Sequence, residues 1–132
     1  MSYICKNPES FNGKVVGNGQ CAVFVEQCSG APIHTLWKQG RKVHGRYPLI
    51  SRRGFAITVD WMEKGAAIAT FIDGKYPNLD HGNHVAIYDG QDLKGIWVWD
   101  QWVGQPVHRR FINFLGGKSL SPNDGDCFFK IM

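Results

Sequence analysis

No stretch of this 132-residue chain is apolar for long enough to cross a bilayer as a helix. Its opening, Met1-Ser2-Tyr3-Ile4-Cys5-Lys6-Asn7-Pro8, lacks a basic segment followed by an apolar run, so no secretory signal is expected. Internal repeats and low-complexity tracts are also missing, which excludes solenoids and collagen-like arrays. Cysteine is sparse, and Cys5, Cys21, Cys28 and Cys127 fit no common zinc spacing. Acidic residues are slightly outnumbered: 15 Lys and Arg against 11 Asp and Glu give a formal charge of +4. So mild an excess favours an anionic partner without identifying it; the sign would equally fit weak nucleic-acid binding, although no nucleic-acid partner is expected.

Glycine, by contrast, is plentiful at 16 residues, and 43% of the chain is hydrophobic. The expectation is a single domain over 1–132 with many turns, modest helix content and a real core.

The chain is organised around Gly17-Asn18-Gly19-Gln20-Cys21-Ala22-Val23-Phe24-Val25-Glu26, a glycine-rich loop running into a helix over about 20–27. Ser29-Gly30-Ala31-Pro32 ends that helix. Cys21 stands in its first turn, where orphan N–H groups and the positive end of the helix dipole favour an anion. A thiol there ionises more easily, and the thiolate is the nucleophile. Gly17 and Gly19 permit positive φ and leave space before the sulfur. The bland alternative is a buried cysteine that opens an ordinary helix.

A nucleophilic cysteine needs a base from elsewhere in the chain. His84 stands where the loop His81-Gly82-Asn83 enters the apolar strand Val85-Ala86-Ile87-Tyr88. The next strand, Gly95-Ile96-Trp97-Val98-Trp99-Asp100, forms a hairpin with it through 89–94. A turn centred on Asp92 sets His84 opposite Asp100 on one face, at a Cβ separation of about 4.5–5.5 Å. That arrangement lets a carboxylate fix the imidazole tautomer. A one-residue slip sends Asp100 to the other face and leaves Gln101 as the nearest orienting residue.

Gly-Gln-Cys at a helix start, then Asn-His-Val-Ala-Ile-Tyr on a strand, resembles the CHAP and NlpC/P60 branch of papain-like cysteine amidases. More closely, the chain resembles type VI secretion amidase effectors. The segments that carry this likeness are 17–26, 65–71, 82–90 and 97–110, the last with Asp100-Gln101-Trp102 and His108-Arg109-Arg110.

The resemblance implies an α+β fold, the catalytic helix packed on an antiparallel sheet. It implies a cysteine peptidase or amidase that cuts stem-peptide cross-links of peptidoglycan, at the D-alanine–meso-diaminopimelate bond or alternatively the γ-D-glutamyl–meso-diaminopimelate bond. Cys21, His84 and Asp100 would be catalytic, while Gln20 and Gln101 would contact the oxyanion or substrate. No cofactor or metal is called for. The implied partners are the wall peptides, a type VI secretion apparatus that carries the protein from the cytoplasm into a recipient's periplasm, and a cognate immunity protein. The positive charge suits a substrate that bears carboxylates.

Rival readings remain open. Asp80, His81 and His84 could hold zinc. The chain could be a wall- or protein-binding module with Cys21 as packing, or a transferase using the same Cys/His pair.

Around this centre, 1–16 reads as an irregular arm and 34–40 as a helical turn. The basic run over 40–55 (Arg41, Lys42, His44, Arg46, Arg52, Arg53) reads as a surface segment. Residues 54–62 are ambiguous between strand and helix. Strands are expected over 65–72, 107–114 and 127–131, with loops at 73–83 and 101–106 and a turn-rich connection over 115–126. Trp99, Trp102 and Tyr88 are candidates to wall a groove, and His108 is placed at its rim or in an immunity-protein contact. Cys28 lies seven residues past Cys21 on one helix face, about 10 Å away, and reads as core. Cys5 and Cys127 stand near opposite ends, which are often close in a compact domain, and form the candidate disulfide.

Overall fold

Cys21–Ser29 form α1, with Gln20 extended at its N-cap and Gly30 left-handed (φ 77°) at its end, where the Gly30 N–H donates to the Glu26 carbonyl. This computed structural model describes residues 2–43 and 62–132, and residues 49–50 and 56–57 as backbone only. Of the expected basic surface segment, His44, Arg46, Arg52 and Arg53 lie outside the described residues, as does most of the ambiguous stretch over 54–62.

The strands are β1 (Gln39–Lys42), β2 (Leu49–Ile50), β3 (Ala56–Ile57), β4 (Ala67–Thr70), β5 (Val85–Gln91), β6 (Gly95–Trp102), β7 (Gln105–Asn113) and β8 (Phe128–Ile131). Six of them form one antiparallel sheet in the order β1-β8-β4-β5-β6-β7, while β2 and β3 pair by themselves. The α+β expectation therefore holds.

Alternation along the strands explains the packing. Ala67, Ala69, Val85, Ile87, Trp99 and Val107 point to the face that receives Phe24 and Val25 of α1. Ile68, Ala86, Tyr88, Ile96, Val98 and Ile112 point the other way, against Val43, Met62, Phe114 and Phe128. Period two sends successive side chains to opposite faces, so both faces of the central strands are buried. Phe24 and Val25 are fully buried. Each contributes about 1.5–3 kcal/mol by leaving water, and together they seat α1 on the sheet.

Three expectations change. First, part of the basic segment pairs as β1 with β8, because Gln39 and Lys42 meet Ile131 and Phe129 at the sheet edge. Second, the hairpin strands run further than expected. Asp92 Oδ1 accepts from the N–H groups of Lys94 (2.7 Å) and Gly95 (3.1 Å), an Asx turn that closes β5 onto β6 within few residues. The expected loop over 101–106 shrinks to Val103-Gly104, since Trp102 already pairs with Gln105 and Gly104 takes φ 93°.

Third, the disulfide joins Cys5 to Cys28, with Cα atoms 5.0 Å apart, and the expected Cys5–Cys127 pair is corrected. The reason lies in the N-terminal arm. Ile4 bridges Ala66, and the Cys5 N–H donates to the Gly65 carbonyl at 2.8 Å, which lays the arm beside β4 on the helix side. Gly65 has φ 95°, and a Cβ there would collide with the Cys5 carbonyl oxygen, so this crossing requires glycine. Cys5 thus arrives under the last turn of α1. Cys127 stays a free thiol and donates to the Ser119 carbonyl (3.3 Å).

Candidate active site

The loop before α1 is clamped to β6. Gln101 is fully buried; its Oε1 accepts from the Val16 N–H (2.9 Å), and its Nε2 donates to the carbonyls of Val16 (2.9 Å) and Gln20 (2.8 Å). Both amide hydrogens are therefore engaged by backbone. Gln101 is neither an oxyanion donor nor an orienter of His84, and that expectation is corrected: it holds the loop that delivers Cys21. Gly17 and Gly19 take φ of 57° and 86° in that loop, as the glycine spacing suggested. Gln20 is exposed at the N-cap, its side chain making no capping bond.

His84 is set from the other side. Its N–H donates to Thr70 Oγ1 (3.0 Å), and its carbonyl accepts from the Thr70 N–H (3.0 Å), which pins the end of the loop to β4. The β5–β6 register pairs Ile87 with Trp99 and Tyr88 with Val98. Extended to position 84, it meets Trp102 rather than Asp100. The displacement is two residues, an even number, so Asp100 keeps the face of His84 as its diagonal neighbour. His84 Nε2 lies 2.7 Å from Asp100 Oδ2. The imidazole and the Cys21 side chain border the same cleft, close enough for each to shift the other's ionisation. With Nε2 on Asp100, Nδ1 is the nitrogen left for the sulfur.

Asp100 is fully buried and carries further partners. Arg110 Nε donates to the same Oδ2 at 2.8 Å. His108 Nε2 sits 3.1 Å from Oδ1 but off hydrogen-bond geometry, so neither atom has a hydrogen-bond partner among the described residues. The Arg110 guanidinium is completed by Asn123 Oδ1 (3.3 Å) and the Pro122 carbonyl (3.2 Å).

These contacts set the protonation states. Burial alone would raise the Cys21 thiol, but the His84 hydrogen bond and charge, with the N–H groups of Val85 and Ala22 on the sulfur, bring it below its usual 9.0. Burial would lower His84; the hydrogen bond to Asp100 and the Cys21 sulfur outweigh it and push it up to about 9. Burial would raise Asp100, yet His84 and Arg110 hold it below the carboxylate norm of 3.8. The shifts thus all favour the charged forms: the sulfur and the carboxylate towards anions, the imidazole towards a cation.

A family model for domesticated amidase effector 2 matches residues 1–131. The chain belongs to the domesticated amidase effector 2 family. A Salmonella typhi protein named type VI secretion amidase effector 2 is 33% identical over 126 residues, covering 91% of this chain and 85% of that one. An Ixodes scapularis protein named domesticated amidase effector 2 is 35% identical over 132 residues, covering 96% and 82%. The solved structure of a type 6 secretion amidase effector 2 matches with a TM-score of 0.76 at 29% identity, covering 98% of this chain and 93% of the other. The likeness to type VI secretion amidase effectors legible in the motifs is borne out.

In this member of the family the line of side chains opens on a cleft of about 740 Å³, bordered by Gln20, Cys21, His81, His84, Trp102 and Arg110. Trp102 is half-exposed there, edge-on to His84 (6.3 Å) and His108 (5.0 Å), with the Arg110 guanidinium over its ring at 5.3 Å. Of the aromatic residues expected to wall a groove, Tyr88 and Trp99 are core instead, because both are buried within the two packing layers. β7 pairs His108 with Asp100, and its partly exposed ring packs against Trp102 at the border of the cleft. For the zinc alternative, no three His, Cys, Asp or Glu side chains gather as ligands among the described residues.

Sequence reasoning missed Thr70, and it missed Arg110 as the guanidinium on Asp100. A signal for Arg110 existed: it stands two residues after His108 on a strand, hence on the same face.

Proposed function

We propose that this protein is a peptidoglycan hydrolase that cleaves an amide of the stem-peptide cross-links by a thiol mechanism at Cys21, His84 and Asp100, with the whole chain as one papain-like, NlpC/P60- or CHAP-type domain. The observation that carries the reading is the line in which Asp100 lies 2.7 Å from His84 Nε2 while the imidazole shares one cleft with Cys21 at a helix start. The relatives' names, which speak of an amidase effector, support it.

The Cys21 thiolate attacks the scissile carbonyl carbon, and the carbonyl π pair moves to oxygen. The first-turn N–H groups of α1 have no acceptor within the helix and are available to that oxyanion. Protonated His84 then gives its proton to the leaving amine nitrogen as the C–N bond breaks, which leaves a thioester on Cys21. Neutral His84 next takes a proton from water, the hydroxide displaces sulfur, and the thiolate–imidazolium pair returns. Asp100 orients the ring and stabilises its charged form; Arg110 keeps Asp100 ionised. Gln20, exposed beside the sulfur, is a substrate contact.

The D-alanine–meso-diaminopimelate bond is the proposed target. Delivery by a type VI apparatus into a recipient's periplasm, and an immunity protein that plugs the cleft, complete the reading.

Digestion of purified peptidoglycan by wild type and by Cys21→Ala, with muropeptides resolved by mass spectrometry, tests it. Wild type alone should convert cross-linked dimers to monomers, and the new termini identify the bond. Equal digestion by both proteins would remove Cys21 from the mechanism. No digestion by either would favour a wall-binding module.

A further inference from the structure

Arg110 serves Asp100 through Nε alone, and its other donors are not all engaged. Nε donates to Asp100 Oδ2 (2.8 Å), Nη1 to Asn123 Oδ1 (3.3 Å) and Nη2 to the Pro122 carbonyl (3.2 Å). Each terminal nitrogen of a guanidinium carries a pair of hydrogens, so one on each is left over among the described residues. Asn123 adds to this surplus. A guanidinium can only donate, so the amide oxygen is the atom that faces it. The Asn123 Nδ2 hydrogens are then without a partner among the described residues. Arg110, Pro122 and Asn123 all border the cleft that holds Cys21.

These donors are fixed in place. The guanidinium lies over the Trp102 ring at 5.3 Å. Asn123 directly precedes Asp124, whose carboxylate accepts from the N–H groups of Leu115 (2.8 Å), Gly117 (2.8 Å) and Asp126 (2.9 Å) and so ties the connection over 115–126 together. Little ordering is left for a ligand to impose. Exposed His81 and Asp80 also stand on the border of the cleft, and the Asp80 charge faces solvent, where it is screened. A planar cation with free N–H groups, its neighbouring acceptors already taken, matches a carboxylate.

Position indicates which carboxylate. Arg110 Nε and His84 Nε2 meet on the same Asp100 Oδ2, at 2.8 and 2.7 Å. In the mechanism above His84 gives its proton to the leaving amine, so Arg110 stands on the leaving-amine side of the scissile bond.

We propose that Arg110 and Asn123 form a carboxylate-binding corner of the cleft, which takes a free carboxylate on the residue that supplies the leaving amine and discriminates against its carboxamide. This rests on the thiol mechanism proposed above. In a cross-link that ends on diaminopimelate, the carbon bearing the amine also bears such a carboxylate. Its oxygens accept from the free guanidinium hydrogens and from Asn123 Nδ2. A carboxamide keeps one acceptor and turns an NH₂ towards donors, which leaves N–H groups unpaired.

The test is calorimetry with Cys21→Ala. The probe is the stem tripeptide ending in meso-diaminopimelate, with the carboxyl beside its side-chain amine either free or amidated. The acid should bind roughly 10–100-fold more tightly than the amide. In the same background, Arg110→Lys keeps a positive charge beside Asp100 but loses the fork, and should bring the two affinities within about threefold. Asn123→Ala should narrow the preference by less. The melting temperature checks each fold. Wild-type kcat/KM on cross-linked dimers, free or amidated at that carboxyl, should show the same preference. Were Arg110 only a support for Asp100, its replacement would slow both substrates alike and leave their ratio untouched.

Equal affinity for acid and amide, or no binding of the acid at millimolar concentration, overturns the proposal, as does a preference that survives Arg110→Lys intact. If wild type cuts no cross-linked dimer, the hydrolase reading fails separately. Calorimetry then still decides whether Arg110 and Asn123 read a carboxylate.

Discussion

Replacing Asp100 by asparagine removes one charge while nearly keeping the side chain's shape, at a position with no exposed surface. The carboxylate is met by His84 at 2.7 Å and Arg110 at 2.8 Å on one oxygen, and by His108 at 3.1 Å beside the other. Two effects follow. His84 is lifted from 6.5 to about 9 chiefly by Asp100 and Cys21, worth about 3 kcal/mol of preference for the imidazolium. Without Asp100 much of that preference goes, and an asparagine amide can present its NH₂ to the ring and favour the wrong tautomer. The rate should fall about 10²–10⁴-fold, the range for losing an oriented general acid–base. The second effect is on stability. Arg110 keeps Asn123 and Pro122 but loses its counter-charge. Breaking one partner of a buried pair costs about 3–5 kcal/mol, and the remaining contacts put the expectation at the lower end. The assay is kcat/KM on a cross-linked muropeptide, with urea unfolding and an NMR titration of the His84 ring. Hydrolysis within about threefold of wild type, or a His84 titration left near 9, would refute the reasoning.

The pH profile of kcat/KM should be a bell: it rises through the depressed Cys21 value, below 9.0, as the thiolate forms, and falls as pH passes about 9 and His84 loses the proton meant for the leaving amine. A stability term with the acidic sign accompanies it. Asp100 is depressed, so its contribution is present above 3.8 and lost as pH falls through its folded value; the stability gap between wild type and Asp100→Asn should close on acidification. Opening the Cys5–Cys28 bridge, which closes a loop with a sequence separation of 23, should cost about 3 kcal/mol, and the melting temperature of Cys5→Ser should drop by roughly 10 °C while Cys127→Ser leaves the bridge intact. Gln101→Leu strands the Val16 N–H and takes one donor from each of the Val16 and Gln20 carbonyls; a loss of about 1–3 kcal/mol in urea unfolding and a fall of roughly tenfold or more in kcat are expected, because the Cys21 loop is no longer held in register.

Cys21 and His84 could be singled out as candidates because their signals are local. Glycines before a helix start, with cysteine as its first residue, and a histidine entering an apolar strand need only neighbouring residues to be read. Asp100 was found through strand alternation, which survived a register displaced by two residues because the side-chain period is two. The Cys5–Cys28 bridge was not legible. It depends on Ile4 docking against Ala66, a contact between an arm and a strand far away in the chain. Gln101 was misread for a like reason: its residue type suits an oxyanion site, but its partners Val16 and Gln20 come from a loop more than eighty residues earlier.

By itself, then, the sequence determined the helix and its cysteine, the alternating strands, the antiparallel hairpin and the family, since each follows from short-range spacing and backbone preference. Only the tertiary structure decided which cysteines pair, that Gln101 clamps the loop before Cys21, and that His108 and Arg110 crowd onto Asp100. Those are contacts between side chains whose separation in space is set by sheet order and helix seating, and no local spacing encodes them.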